Sequence, residues 1–508
     1  MTADPASIQS KDSPVQPPGY QRSEERTRPL GIVTKLLYAW GEMPGSHMNF
    51  AIGSFLLLYY NQILGVSATA VSFAMGLALF LDAISDPVIG AYSDQFKSRL
   101  GRRHPFMYAA AIPLGLFICL LFKPPANLSE GSLIAWMMSL LILTRLTFTV
   151  FSVPWSALLP ELAVTYEDRT ALAAYRPLIA NVFGGLFGVA VFQLVFAATN
   201  EYPQGQLNPD NYIWFGPLIG GLMALWCLVS THFTRKEVPY LLQPMTEQRP
   251  SARQMVREII SALGSRNYRL LLATMLIFFA IASTLAVFDM LVNTYFWRLT
   301  GEQMSRLALF AIAGPILGFI IAPRLQPYLQ KHHIVCGAML AQMLLSLLAV
   351  SARLSGVFPD NDSPGFIPLL ATLTATQAFI SVTSFITTLS MFADLVDEQE
   401  HRVGYRQEGV FASGIALATK LIGSVGVLIG GLLLDHFVGM VPGQADQTLA
   451  DDVIFRLAIT DAVIVNAFIL IPAYLISRYN LRSERVVAIQ QELAQRRQAN
   501  ATEADSVG

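Results

Sequence analysis

The sequence predicts an all-α polytopic membrane protein, with twelve transmembrane helices in two six-helix bundles. Three observations lead there. Of 508 residues, 53% are hydrophobic and only 14% charged, where a soluble domain carries about 25% charge. Apolar runs reach the ~20 residues a helix needs to cross a bilayer, and they do so again and again. These runs fall six and six around one polar linker, the pattern of an internally duplicated transporter.

The first six runs lie at 32–62, 67–93, 105–123, 132–159, 171–199 and 212–233. The second six lie at 268–297, 305–328, 334–353, 364–395, 409–438 and 453–478. The domain boundaries follow: a disordered cytoplasmic tail over 1–30, an N-terminal bundle over 31–233, a cytoplasmic linker over 234–267, a C-terminal bundle over 268–478 and a tail over 479–508. The first tail is polar and Pro-rich, with no apolar core of the signal-peptide kind. Within the linker, 251–263 reads as an amphipathic surface helix. The tail from 483 reads as a short surface helix that frays.

Lys and Arg set the orientation. The hairpin 94–104, the linker, the Arg324–Lys331 turn and the tail after Arg478 are basic, while the loops 62–66, 200–211 and 439–452 are not. Both termini are therefore expected in the cytoplasm, and the protein in the inner (plasma) membrane. The net charge of −1 gives no reason to expect nucleic acid. Cys119, Cys227 and Cys336 lie in or beside apolar runs without CxxC spacing, which argues against a disulfide framework or a zinc site.

The chemistry concentrates in charged groups inside these runs. Asp82 and Asp86 are four residues apart, so both carboxylates leave one helical face about one turn apart. An ionised Asp in hydrocarbon costs at least ~3 kcal/mol, so the pair demands a cation, a proton or a cavity. Ser85 lies between them, and Thr149 and Ser152 add hydroxyls from segment 4; oxygen ligands suit a hard cation. Lys420 lies about twelve residues into segment 11, too deep to snorkel, so it needs an anionic partner, and Asp82 and Asp86 are the obvious ones. Segment 1 carries Glu42 and Asn49 on one face, and Gly41, Pro44 and Gly45 loosen it. Asp289, with Asn293 at i+4, lies in segment 7. Asp94, Arg102 and Arg103 in the first half, and Asp394, Asp397, Glu400 and Arg406 in the second, flank the cytoplasmic ends. Their expected role is an ionic lock across the cytoplasmic entrance.

The run DAISDPVIGAYSD…SRLGRRHPF, with TVFSVPWSALLPEL, YR at 175–176, NYRLLL, DLVDEQE and Lys420, resembles the major facilitator superfamily. In particular it resembles the glycoside–pentoside–hexuronide:cation symporters, the melibiose-permease-like family, over about 32–478. The resemblance implies that Asp82, Asp86 and Thr149 bind sodium, lithium or a proton, with Lys420 as their neighbour. Ser85 stands where sodium-using members have Asn. Arg176 matches an arginine near the sugar pocket, and Asp394, Asp397, Glu400 and Arg406 match the family's gate charges. The family's galactoside-binding acids fall at Asn49 and Ser152 here, which removes the carboxylates that accept paired sugar hydroxyls. Glu42, Asn49, Ser152, Arg176, Asp289 and Asn293 remain as the expected solute site.

The expectation is a monomeric symporter, without cofactor, coupling a glycoside or related sugar to a proton or sodium by alternating access. Ser85 offers a shorter oxygen than an amide would, which favours the proton. The same fold moving a lysophospholipid, and a non-transporting membrane receptor, are the alternatives. No intramembrane Ser/His/Asp set, metal-ligand cluster or nucleotide loop points to an enzyme.

Overall fold

The computed structural model describes residues 20–22, 30–163, 165–244, 264–404, 408–445 and 449–507. Eleven of its helices are long and apolar enough to cross a membrane. They are α2 (Ala68–Gln95), α3 (His104–Leu121), α4 (Glu130–Ala157), α5 (Tyr166–Leu194), α6 (Pro209–Thr234) and α7 (Arg266–Leu291), then α8 (Gly301–Leu325), α9 (Lys331–Leu354), α10 (Phe366–Val403), α11 (Glu408–Leu432) and α12 (Asp451–Ser477). A twelfth helical run, α1, covers 32–63. It winds as α-helix to Ala39, as 3₁₀ over Trp40–Glu42, as α-helix over Met43–Phe50, and then in two π-helical stretches, Ala51–Leu56 and Leu58–Ile63. The Gly41, Pro44 and Gly45 cluster accounts for the first change of winding: Pro44 has no N–H to give, and Gly lowers the cost of leaving α geometry. An extramembrane helix, α13 (Ser483–Val507), packs on α10.

The two halves repeat one another. In the first, α1 packs on α5 and α6, α2 on α4, and α3 on both α4 and α6. In the second, α7 packs on α11 and α12, α8 on α10, and α9 on both α10 and α12. Adding six to each number of the first set gives the second, so the six-plus-six pattern is a structural duplication. The halves meet where α2 crosses α11 and where α5 crosses α8.

Small residues make these crossings close, as helices without a hydrophobic drive between them require. On α3 and α6, a Cβ on Gly115 would lie 2.5 Å from the Gly220 carbonyl oxygen, and one on Gly220 would lie 2.2 Å from that of Gly115. At the α2–α11 crossing a Cβ on Gly76 would meet the Ser424 carbonyl oxygen at 2.8 Å. Gly220→Ala is therefore expected to lower the unfolding temperature in detergent through overpacking of about 1–3 kcal/mol. Gly221→Ala, with nothing within 4 Å of its Cβ, is the control that leaves it unchanged. Equal melting of the two variants would contradict the packing account.

Two local expectations change. Tyr20–Arg22 pairs antiparallel with Leu242–Pro244, Tyr20 opposite Pro244, so three residues of the expected disordered tail form a ribbon with the start of the linker. The remainder of that tail through residue 29, and the expected linker helix at 251–263, lie outside the described residues. The helix of segment 10 runs past 395, its expected end: α10 carries Asp394, Asp397 and Glu400 and ends at Gly404, whose φ of 87° closes the helix in the left-handed region.

Candidate functional site

Three helices bring the charged core together. Pro87 and Pro154 interrupt the hydrogen-bond ladders of α2 and α4 just past the groups that matter, Asp86 and Ser152. Across this crossing the Thr149 hydroxyl lies 2.6 Å from Asp82 Oδ1 and 3.2 Å from Asp86 Oδ1. It has one proton to donate, so the shorter contact, to Asp82, takes it. From the other half, Lys420 Nζ donates to Asp82 Oδ2 at 2.9 Å and to Asp86 Oδ2 at 2.5 Å. The ammonium thus bridges two carboxylates that would otherwise repel, and it ties α2 to α11. Ser85 donates to the Asp82 carbonyl at 3.1 Å and lies 3.4 Å from Thr149 Oγ1, so it braces the helix and the hydroxyl. Asp82 is 6% exposed at its side chain, while Asp86 and Lys420 are 32% and 34% exposed. One carboxylate is therefore sealed and the other faces open space, which gives the cluster a side from which an ion can enter. Asp82, Asp86, Thr149 and Lys420 come together as the sequence predicts.

The expected solute residues do not form one set. Arg176 Nε donates to Glu42 Oε2 at 2.8 Å, and its guanidinium lies 4.2 Å above the Trp155 ring. Trp155 in turn donates to the Tyr38 carbonyl at 3.1 Å. Glu42 and Arg176 are thus mutual partners in an ion pair within the first half. Asn49 is exposed and Ser152 half-buried, and neither side chain makes a hydrogen bond among the described residues. Asp289 and Asn293 line a different space, a cavity of about 660 Å³. Ser54 of α1 and Phe192 of α5 close it from the first half; Thr374, Gln377 and Asp461 line it from the second. Asn293 donates to Asp289 Oδ1 at 3.3 Å.

Sequence reasoning missed three charged groups. Asp461 is an acid inside segment 12, and Arg145 a base inside segment 4, four residues before Thr149 and so on its face. A strict search of every apolar run for charges finds both. The third, Asp435, sits at the end of α11, in the π-helical turn Leu433–Val438. Its two oxygens accept the backbone N–H groups of Ala68 at 3.0 Å and Thr69 at 2.7 Å, at the start of α2 in the other half. Nearby, Gly443 N–H donates to the Asn61 carbonyl at 2.8 Å and Tyr295 Oη to Gln62 Oε1 at 2.9 Å. Gln206 Nε2 donates to Thr294 Oγ1 at 3.2 Å. This end of the bundle is laced shut between halves.

At the opposite end the ion pairs of Arg102, Arg103 and Lys331 lie within one half each. Arg102 and Arg103 both hold Glu161, the second at 2.6 Å, and Arg103 also reaches Asp94 at 3.4 Å. Burial pushes the Arg103 guanidinium down from its ordinary value, and the Glu161 carboxylate pulls it back up. Lys331 binds Asp394 at 2.6 Å, and Gln490 of α13 donates to Asp397 at 2.9 Å. The expected lock of Asp94, Arg102 and Arg103 against Asp394 and Asp397 is not the pairing in this structure. Arg406 lies outside the described residues.

Twelve duplicated helices with a partly buried charge cluster at the crossing of the halves define a secondary transporter of the major facilitator fold. The sequence profile of the MFS/sugar transport protein family matches residues 37–483, and the chain belongs to that family. It is similar to the "Uncharacterized symporter YnaJ" of Bacillus subtilis, at 26% identity over 93% of this chain and 96% of that one. It is similar also to the "Putative glycoside/cation symporter YagG" of Escherichia coli, at 24% over 92% and 96%. The "Isoprimeverose transporter" of Lactiplantibacillus pentosus matches at 24% over 80% of this chain and 82% of that one. Among solved structures, the partially occluded inward-open xylose transporter XylE from E. coli superposes with a TM-score of 0.58 at 12% identity, over 89% of this chain and 98% of that one. A point mutant of the nucleoside transporter NupG superposes with a TM-score of 0.59 at 11% identity, over 88% and 98%. The chain is a multi-pass membrane transporter, not an enzyme.

Proposed function

We propose that the protein is a cation-coupled symporter of a glycoside or related sugar, resident in the inner membrane with both termini in the cytoplasm. The observation that carries this reading is the cluster of Asp82, Asp86, Thr149 and Lys420. It holds two carboxylates and a hydroxyl, the ligand types of a hard cation, and fills the cation's place with an ammonium from the other half. An arriving cation takes over the carboxylates and releases Lys420, which loosens α11 from α2. Cation binding is thereby linked to movement of the halves, and each ligand must tighten the other reciprocally. With the basic end cytoplasmic, the laced end faces outward and the structure is inward-facing. On that reading the lock between Asp94–Arg103 and the Asp394, Asp397, Glu400 and Arg406 group forms in the outward-facing state.

The solute is read in the cavity between the halves, where Asp289 and Asn293, joined by Gln377 and Asp461, offer directional polar groups. YagG is named a glycoside/cation symporter and the L. pentosus relative transports isoprimeverose, which supports the sugar reading. Ser85 keeps its hydroxyl on the Asp82 backbone, so no amide-type oxygen is added to the carboxylates, and the proton is the proposed coupling ion. The test is uptake into vesicles across a panel of methyl glycosides and lysophosphatidylcholine, under an imposed proton or sodium gradient. The expected result is accumulation of a glycoside that a protonophore abolishes. Accumulation of the lysolipid alone would transfer the assignment to that substrate, and sodium-dependent uptake unmoved by protonophore would replace the ion.

A further inference from the structure

Arg145 stands at the middle of α4, a helix of 28 residues whose length crosses the membrane. It is half-buried, and its side chain has no hydrogen bond or ion pair among the described residues. It lies within electrostatic range of Asp82. Arg145, Thr149 and Ser152 fall at i, i+4 and i+7 and share one helical face. That face touches the aspartates through Thr149. A guanidinium in mid-membrane is expensive unless an anion or a water-filled space meets it.

The charges around it are balanced while the site is empty. Asp82 and Asp86 contribute two negative charges, and Lys420 and Arg145 two positive ones. Lys420 directs its donors to both carboxylates, leaving Arg145 with only a through-space share of Asp82. A coupling cation tips the cluster to one excess positive charge, and Arg145 is the group left without a neutralising contact. An anionic group beside Arg145 restores neutrality. On the same face Ser152 offers a neutral hydroxyl where a carboxylate would repel such a group.

We propose that Arg145 reads a negative charge on the solute, so that an anionic group and the coupling cation bind as a neutral set. The planar guanidinium suits the two oxygens of a carboxylate, and a phosphate or sulfonate presents the same fork. This rests on the symporter reading, but its test uses equilibrium binding and needs no gradient. Failure of symport shows as absent accumulation in vesicles, whatever binding reports.

The experiment measures binding of methyl β-glucuronide, glucose 6-phosphate and methyl β-glucoside to the purified full-length protein in nanodiscs, by calorimetry at acid and at neutral pH. At least one anionic ligand is expected to bind ten-fold or more tighter than the neutral glucoside. Which of the two does so assigns the group as carboxylate or phosphate. Arg145→Gln is expected to weaken the anion by roughly ten- to a hundredfold, the scale of one hydrogen-bonded charge contact, and to move the glucoside less than threefold. Arg145→Lys keeps the charge without the fork and is expected to retain part of the preference, which separates charge reading from a folding defect. Equal binding of anionic and neutral ligands to the wild type would overturn the proposal. So would a preference that survives unchanged in Arg145→Gln.

Discussion

Asp82→Asn is expected to abolish gradient-driven accumulation while the protein still folds and reaches the membrane. Asp82 is the sealed carboxylate of the pair, and it takes both the Thr149 hydroxyl and one Lys420 contact. An amide of the same shape fills the volume and still accepts the hydroxyl proton through its oxygen. What it loses is the charge. Removing one partner of a buried ionic group costs ~3–5 kcal/mol, which is about two to four orders of magnitude in cation affinity. Lys420 then rests on Asp86 alone, which neutralises it fully, so a cation no longer has a free carboxylate to gain. Downhill solute exchange does not draw on the ion gradient and is expected to persist. Vesicle uptake with and without the gradient, beside counterflow of labelled solute, separates the two activities. Full concentrative uptake in Asp82→Asn would remove Asp82 from the coupling site.

The cation cluster was legible in the sequence because each member breaks a strong rule. An acid pair at four-residue spacing and a lysine twelve residues deep are costly in hydrocarbon, and that cost makes them partners wherever the helices let them meet. Helix periodicity fixes which side chains share a face, and this sufficed for Asp82 and Asp86. It is silent on which faces oppose each other across the bundle. Glu42 and Arg176 show the limit: they lie 134 positions apart, and both read as solute groups until α1 and α5 bring them into one ion pair. Asp289 was legible as an intramembrane acid, but its cavity companion Asp461 comes from α12, a neighbour that only the packing reveals. The fold was legible for a different reason. Twelve apolar runs divided by one linker constrain topology strongly. The π-helical end of α1 and the helical course of α10 through Val403 were not legible. The apolar run ends at 395, yet Lys331 and α13 supply partners for Asp394 and Asp397 that keep the charged stretch on a helix.

Asp435→Ala is expected to shift the carrier toward the state open at the end where Asp435 sits. The first N–H groups of a helix have no partner within it and carry the positive end of its dipole, so a carboxylate there is doubly favourable. On α2 those groups are shared out: Asp435 takes Ala68 and Thr69, and Ser67 takes Ala70 at 3.3 Å. Because Asp435 belongs to the other half, its two bonds break whenever that end opens, and water replaces them. Hydrogen bonds to a charged group contribute ~1.5–3 kcal/mol each. Two at the low end make about 3 kcal/mol, more than a hundredfold in the ratio of closed to open forms. Gly443 with Asn61, and Tyr295 with Gln62, remain in the variant, so the closed state is weakened rather than lost. Asp435→Asn keeps one acceptor and loses the charge, and is expected to fall between the wild type and Asp435→Ala. Spin labels at Leu64 and Val441, on opposite halves of this end, report the change as a longer and broader distance distribution. The order wild type, Asn, Ala in that width is the signature of a charge-assisted latch. If all three distributions coincide, Asp435 caps α2 without holding the two halves together.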